Sequence, residues 1–251
     1  MRVGELACFC LSFAMVSTAS ALEHDEMVSH YPLVPGGTVS IENVHGGIEV
    51  EGWDRSEVEV VVTKSAHGAP AQLDGVRIIV EASERSLSLY TLYPENSSTP
   101  VEVDYRLRVP REVSLARLRT VYGGVKVRDV EGPASLRTLN GNIELINVTG
   151  RIKAGAVNGT IVASVRALPD STAGLNLETL NGDLFLLLPA RPNADLELSA
   201  VAGEVRGQYA WQANQTAGDN SKKTRLGKGG PLVRLRTIRG NIRVEEMEDV
   251  L

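Results

Sequence analysis

Seven segments of this chain align on a single glycine, and that alignment limits the fold more than any other property of the sequence. They are "IENVHGGIEV" (Gly46), "LRTVYGGVKV" (Gly123), "LRTLNGNIEL" (Gly141), "AGAVNGTIVA" (Gly159), "LETLNGDLFL" (Gly182), "LSAVAGEVRG" (Gly203) and "LRTIRGNIRV" (Gly240). From Gly123 to Gly203 the copies recur at nearly even intervals. The first copy, at Gly46, stands well ahead of the second. The long last interval, from Gly203 to Gly240, holds the polar segment 212–230, which reads as a surface loop inserted in one repeat. Periods of about 20 residues belong to architectures in which each unit buries its apolar side against the next.

Taken alone, one copy reads as a hairpin, because Asn140-Gly141 between alternating apolar residues is a strong turn signal. Two comparisons across the copies argue against it. In a two-residue hairpin the residues four before and three after the glycine would oppose each other. Arg119/Lys126, Glu42/Glu49 and Arg236/Arg243 would then be like-charged, and only Arg137/Glu144 opposite; opposed like charges destabilise a strand pair. The residue two before the glycine is apolar in every copy (Val44, Val121, Leu139, Val157, Leu180, Val201, Ile238), as is the residue two after it (Ile48, Val125, Ile143, Ile161, Leu184, Val205, Ile242). A corner accounts for this if both positions face inward on either side of a bend. The expected fold is therefore all-β: a β-solenoid or parallel β-helix-like repeat, right-handed by the general crossover rule.

Three secondary expectations follow. Glycine at the corner supplies tolerance of positive φ, and Asn140, Asn158 and Asn181 beside it share that tolerance. Those asparagines would form a hydrogen-bonded ladder along the stack, and Thr120, Thr138, Thr179 and Thr237 a second one. Between the first two copies lie four β-rich runs, 57–63, 76–82, 87–93 and 101–109, the middle two forming a hairpin with a five-residue loop. This N-terminal part is expected to cap the same core.

Residues 1–21 have the layout of a secretory signal peptide: Arg2, an apolar run from Leu6 to Val16, then small residues ending Ala19-Ser20-Ala21. Cys8 lies too near the start for a lipoprotein signal. Residues 22–35 read as an N-terminal arm and 36–251 as one β-strand-repeat domain. Cys8 and Cys10 are the only cysteines, so a processed chain has no disulfide and no thiolate metal ligand. The net charge of −5 argues against nucleic acid as partner, and no later apolar stretch approaches membrane-spanning length.

"GGTVSIENVHGGIEVEGWDRSEVEVVVTKSA", "VDYRLRVPREVSL" and the "LRTLNGNIEL" units together resemble the bacterial putative-adhesin family, over roughly Pro35 to Val244. The resemblance implies an exported all-β repeat protein of the cell envelope, in the periplasm or at the surface. It carries over no catalytic residues.

Two functional classes are left open. The first is a non-enzymatic protein of envelope structure, adhesion or partner binding, with an envelope protein or glycan as partner and self-association through the solenoid ends. Its candidate face is the row Arg119, Arg137 and Arg236, interrupted by Gly155, Glu178 and Ser199. The aromatics Trp53, Trp211 and Tyr122 are too scattered for a sugar platform. The alternative is a β-helical polysaccharide-cleaving enzyme. Asp183 and Glu204, each after the glycine of consecutive copies, would stack about 4.8 Å apart if their coils were neighbours, within reach of glycosidase geometry; Asp195 and Glu197 lie between them. His24 and His30 fall in the arm, and His45 and His67 stand alone. No catalytic, cofactor-binding or metal-ligating residue is assigned, and no cofactor is expected. The sequons at Asn96, Asn147, Asn158 and Asn214 count only in a glycosylating host.

Overall fold

Every repeat glycine marks a place where the chain leaves one sheet and enters another. The computed structural model describes residues 22–67, 71–94, 101–168, 173–210, 212–213 and 220–247. The expected signal peptide, Trp211 and the sequons at Asn96 and Asn214 lie outside these residues. In chain order the elements begin with β1 (Leu22–Pro32), β2 (Thr38–Glu42), β3 (Ile48–Trp53), β4 (Glu57–His67) and a single helical turn, α1 (Ala71–Asp74). Then come β5 (Arg77–Ser83), β6 (Ser86–Leu92), β7 (Glu102–Pro110), β8 (Ser114–Tyr122), β9 (Val125–Arg128), β10 (Ala134–Asn140), β11 (Ile143–Thr149) and β12 (Ile152–Asn158). The C-terminal part comprises β13 (Ile161–Ala167), β14 (Ala173–Asn181), β15 (Leu184–Leu188), β16 (Ala194–Ala202), β17 (Val205–Gly207), β18 (Gln212–Ala213), β19 (Asn220–Leu226), β20 (Leu232–Arg239) and β21 (Ile242–Glu246).

Strands preceding the glycine form one sheet, the entry sheet, in the order β18-β19-β16-β20-β14-β12-β10-β8-β2-β6-β5. Strands following it form the exit sheet, in the order β1-β4-β7-β3-β9-β11-β13-β15-β21-β17. All pairings among the repeat strands are parallel and in register next to the corner, for example Thr138↔Ala156 and Glu144↔Val162, with register shifts farther from it in the β8–β10, β11–β13, β14–β20 and β2–β8 pairs. The repeats are thus coils of a solenoid-like stack and not hairpins. Pairs such as Arg137 and Glu144 lie on different sheets and never oppose each other.

The coils do not follow chain order. After β15 the chain skips a slot, builds β16 and β17, doubles back through β18 and β19, and returns as β20 and β21 to fill the gap. The copy at Gly240 therefore sits between those at Gly182 and Gly203. A similar excursion occurs at the other end. β6 and β7 pair in parallel outside β2 and β3, before the chain returns to the inner side as β8 and β9.

Inward side chains from both sheets make one aliphatic core, including Leu118, Leu136, Leu177 and Leu235 from the entry sheet and Ile143, Leu145, Ile161, Leu184 and Ile242 from the exit sheet. The buried entry-sheet positions are five and three before the glycine. The apolar residues two before it, expected inside, face out: Leu139, Leu180 and Val201 are 40%, 44% and 42% exposed. The strand runs straight up to the corner, so this position shares the outward parity of the Arg119/Arg137/Arg236 row.

The corner itself explains the glycine in a way that positive φ does not. Only Gly46, Gly123, Gly182 and Gly240 of the seven have φ in the left-handed range. All seven share a close approach instead: a Cβ on Gly141 would lie 1.9 Å from the Gly123 carbonyl oxygen, and one on Gly159 would lie 1.8 Å from that of Gly141. The coils touch backbone to backbone at this corner, leaving no room for a side chain.

Both ladders exist, in different forms. Asn158 Nδ2 donates to Asn140 Oδ1 and Asn181 Nδ2 to Asn158 Oδ1, each at 2.8 Å. The threonine hydroxyls do not bond one another. Each donates to the repeat glycine carbonyl one coil away: Thr120 to Gly46, Thr138 to Gly123, Thr179 to Gly159 and Thr237 to Gly182, at 2.8–2.9 Å. In the first copy Asn43 replaces threonine, and its amide donates to the Val103 carbonyl at 2.7 Å.

Three further expectations change. Residues expected to trail as an arm form β1, an edge strand antiparallel to β4 along its 11 residues. The hairpin of β5 and β6 turns through Glu84 and Arg85 alone, a two-residue loop. Within the polar segment 212–230, β19 is an antiparallel strand on β16. Asp195 pairs there with Arg225 at 2.8 Å, and Glu197 with Lys223 at 2.9 Å and with Arg234 at 2.8 Å.

Hydrogen bonds from these cations lower the pKa of both carboxyl groups, Asp195 through Arg225 and Glu197 chiefly through Arg234 and Lys223. A carboxyl group whose folded pKa is depressed stabilises the fold above its unfolded value, near 4, and the contribution is lost as pH falls through the folded value. Acid titration below about pH 4 is therefore expected to weaken the hold of β19 on β16, read as faster amide exchange over 220–226. The pair D195N/E197Q should remove that pH dependence; an unchanged titration would refute the assignment.

Candidate functional site: the outer faces of the two sheets

The outer face of the entry sheet carries three parallel rows, the one farthest from the corner being Ser40, Arg117, Ser135, Lys153, Asn176, Arg234 and Glu197. Nearest the corner runs the aliphatic row, in spatial order Val44, Val121, Leu139, Val157, Leu180, Ile238 and Val201. Beside it runs Glu42, Arg119, Arg137, Gly155, Glu178, Arg236 and Ser199, neighbours in register throughout. Gly155 opens a groove of about 380 Å³, bordered by Arg137, Lys153, Val157, Leu180, Arg236 and Ile238. A Cβ there would meet nothing closer than 3.9 Å, so this glycine, unlike those at the corner, is not required by packing.

On the outer face of the exit sheet, Gly47 and Gly124 leave a second groove of about 450 Å³. Its rim alternates in sign. Arg106 lies 3.6 Å from Glu49, Lys126 lies 2.8 Å from Glu144, and Asp104 Oδ1 accepts the Gly47 N–H at 2.7 Å. Its floor is backbone whose Gly47 and Gly124 carbonyls are already bonded within the sheet, so the hydrogen-bonding groups open to an extended polar chain are those of the charged rim.

The structure separates the carboxylates on which catalysis would depend. Asp183 and Glu204 are two coils apart, with Asn241 between them. Asp183 Oδ1 accepts the backbone N–H of Asn241 at 2.6 Å, and Asn241 Oδ1 accepts that of Glu204 at 3.1 Å. Thr160 N–H and Asn142 Oδ1 repeat the contact at 2.9 Å. Asp183 therefore caps a neighbouring coil's backbone, as an uncharged residue does elsewhere in the stack. Asp195 and Glu197 are engaged by β19 and β20 on the other sheet.

The remaining candidates are dispersed. His45 stacks on Tyr122 at 5.1 Å and meets Tyr93 edge-on at 5.5 Å. Burial pushes the Tyr93 hydroxyl up to about 12, and the same effect acts on Tyr105, whose hydroxyl pairs with Thr91 at 2.6 Å in the core. His30 lies 3.8 Å from Glu59 on the neighbouring strand, and His24 and His67 belong to β1 and β4. Trp53 is covered by its own Arg55 at 4.8 Å. Among the described residues no group of three or more His, Cys, Asp or Glu converges as for a metal, and no helix is long and apolar enough to cross a membrane.

These features define a protein of stacked parallel β-coils whose accessible chemistry lies on sheet faces. The chain belongs to the Toastrack DUF4097 family, whose model matches residues 33–245. Among solved structures it is similar to a putative cell adhesion protein from Clostridium sporogenes, at 12% identity and a TM-score of 0.41, covering 90% of this chain and 100% of that one. It is also similar to a putative adhesin from Bacteroides fragilis, at 11% identity and a TM-score of 0.38, covering 89% and 97% of the two chains. No functionally curated protein matches.

Proposed function

We propose that this protein is an exported, non-enzymatic component of the bacterial cell envelope that acts in adhesion or partner binding through its sheet faces. In this reading the coils wind to the right, and β1, β4, β5 and α1 close one end of the core. The observation that carries it is the exit-sheet groove. It is open along its length, rimmed by partnered charges of both signs and floored by backbone at Gly47 and Gly124. Such a surface suits a glycan chain or an extended polypeptide better than a small molecule, which is normally enclosed on most of its surface.

Immobilised protein incubated with envelope fractions is expected to retain a protein or a glycan, the two distinguished by protease treatment. Gly47→Gln should reduce retention, because its Cβ fits at 3.4 Å from Asp104 Oδ1 and its side chain fills the groove. Retention of nothing beyond an unrelated β-protein would refute the reading. The same preparation should cleave no polysaccharide in a broad panel. Cleavage that disappears in D183N/E204Q would establish the enzymatic alternative instead.

A further inference from the structure

The outer face of the entry sheet is complementary to itself. We propose that it docks a second copy of this chain, face to face, about a two-fold axis that runs along the strands and passes between the coils of Gly141 and Gly159. This goes beyond the envelope-binding reading, which rests on the opposite sheet.

Such an axis reverses the order of coils in the partner while keeping each row opposite itself, as an isologous interface requires. In the charged row Glu42 then faces Arg236 of the partner subunit, Arg119 faces Glu178 of the partner subunit, and Arg137 faces the gap at Gly155 of the partner subunit. In the aliphatic row the facing pairs are Val44 with Ile238, Val121 with Leu180 and Leu139 with Val157. The third row sets Ser40 against Arg234, Arg117 against Asn176 and Ser135 against Lys153. No like charges meet in any of the three.

Other placements fail on charge. Moving the axis half a coil toward the C-terminal end opposes Arg119 to Arg236. Moving it half a coil the other way opposes Glu42 to Glu178 and Arg137 to its own copy. An axis along the stack sets every charged residue of the row against itself. Opposed like charges of this kind select against a wrong register.

Within one chain the charged row is largely unsatisfied. Glu42 has Arg117 at 2.7 Å, but Arg119, Arg137 and Arg236 form no ion pair among the described residues, and Glu178 accepts only the Asn176 amide, at 3.0 Å. The aliphatic row, in which Leu139, Leu180 and Val201 are exposed and Val44, Val121, Val157 and Ile238 half-buried, spans six coil spacings, about 29 Å at about 4.8 Å each, a contiguous apolar stripe of the kind that marks an interaction surface. The rows cover about 13 Å along the strands. That footprint corresponds to a weak, concentration-dependent dimer.

Sedimentation of the purified chain across the micromolar to submillimolar range should show a monomer–dimer equilibrium. Glu178→Arg should raise the dimer dissociation constant at least about tenfold, equivalent to about 1.4 kcal/mol, and R119E/E178R should restore it. With Cys8 and Cys10 replaced by serine, a mixture of V121C and L180C chains should cross-link on oxidation, and neither alone should. A chain that stays monomeric, a dimer indifferent to Glu178→Arg, or one that the charge exchange fails to restore overturns the proposal. No envelope fraction is present, so a monomeric result leaves the envelope-binding reading to its own test.

Discussion

Gly159→Ala is expected to destabilise the fold by about 3 kcal/mol or more, the upper range for a single overpacking substitution, measured by denaturant unfolding. One methyl group would stand 1.8 Å from the Gly141 carbonyl oxygen and 2.6 Å from its carbon. Both are backbone atoms of a coil that is itself stacked on the next, so no rotamer change relieves the contact. The two coils must separate locally, lengthening the hydrogen bond that spans them, from Gly141 N–H to the Asn158 carbonyl, 3.0 Å. Gly155→Ala in the same coil is the control. It has open space on the outer face, and replacing a strand-interior glycine should stabilise by about 0.5–1 kcal/mol. Equal effects at the two positions would show that the corner is not the close contact described.

Ending the chain after Gly230 should cost far more than one coil. The deletion removes β20 and β21, whose buried Val233, Leu235, Ile242 and Val244 contribute about 1.5–3 kcal/mol each on burial, together of the order of a domain's entire net stability. Among the described residues, it also removes the sole strand partner of β17 and one of the two partners of β16. Amide exchange should therefore show protection lost over 194–207 and 220–226, although all of those residues are still present. A solenoid stacked in chain order would lose only its last coil. Retained protection over β16 would mean that its pairing with β19 holds without β20, and would refute this expectation.

The stack was legible because it rests on backbone geometry repeated at every coil. The glycine, the asparagines at 140, 158 and 181 and the buried threonines each mark the corner in several copies. Leu139 and its counterparts recur at the spacing of a core position and yet face outward. Position minus two has the same parity as the arginines at minus four, and that shared parity was the available signal. An aliphatic residue at an exposed position is normally assigned to the core because burial is its usual fate. The neighbours of Asp183 could not be read at all. Sequence adjacency of copies implies spatial adjacency only when coils stack in order, and nothing local to Gly240 records that its coil is inserted between two earlier ones. The strand in the polar segment was hidden for a related reason. β19 packs its Lys223 and Arg225 against Glu197 and Asp195, so it is held by pairing and charge and lacks the alternating apolar pattern that identifies a half-buried strand.

The interleaved coils also impose an order in time. A ribosome or an export channel delivers the chain from the N-terminus, and most repeat proteins can extend their stack as each unit emerges. Here the segment from Ala194 to Leu226 can emerge completely and still have no flank to dock against, because the coil that should lie beside it is made after it. Docking of the chain from Ala194 onward is thus held back until β20 and β21 have been delivered. The delay is confined to those residues, because β8 to β15 stack in chain order and can dock as each emerges.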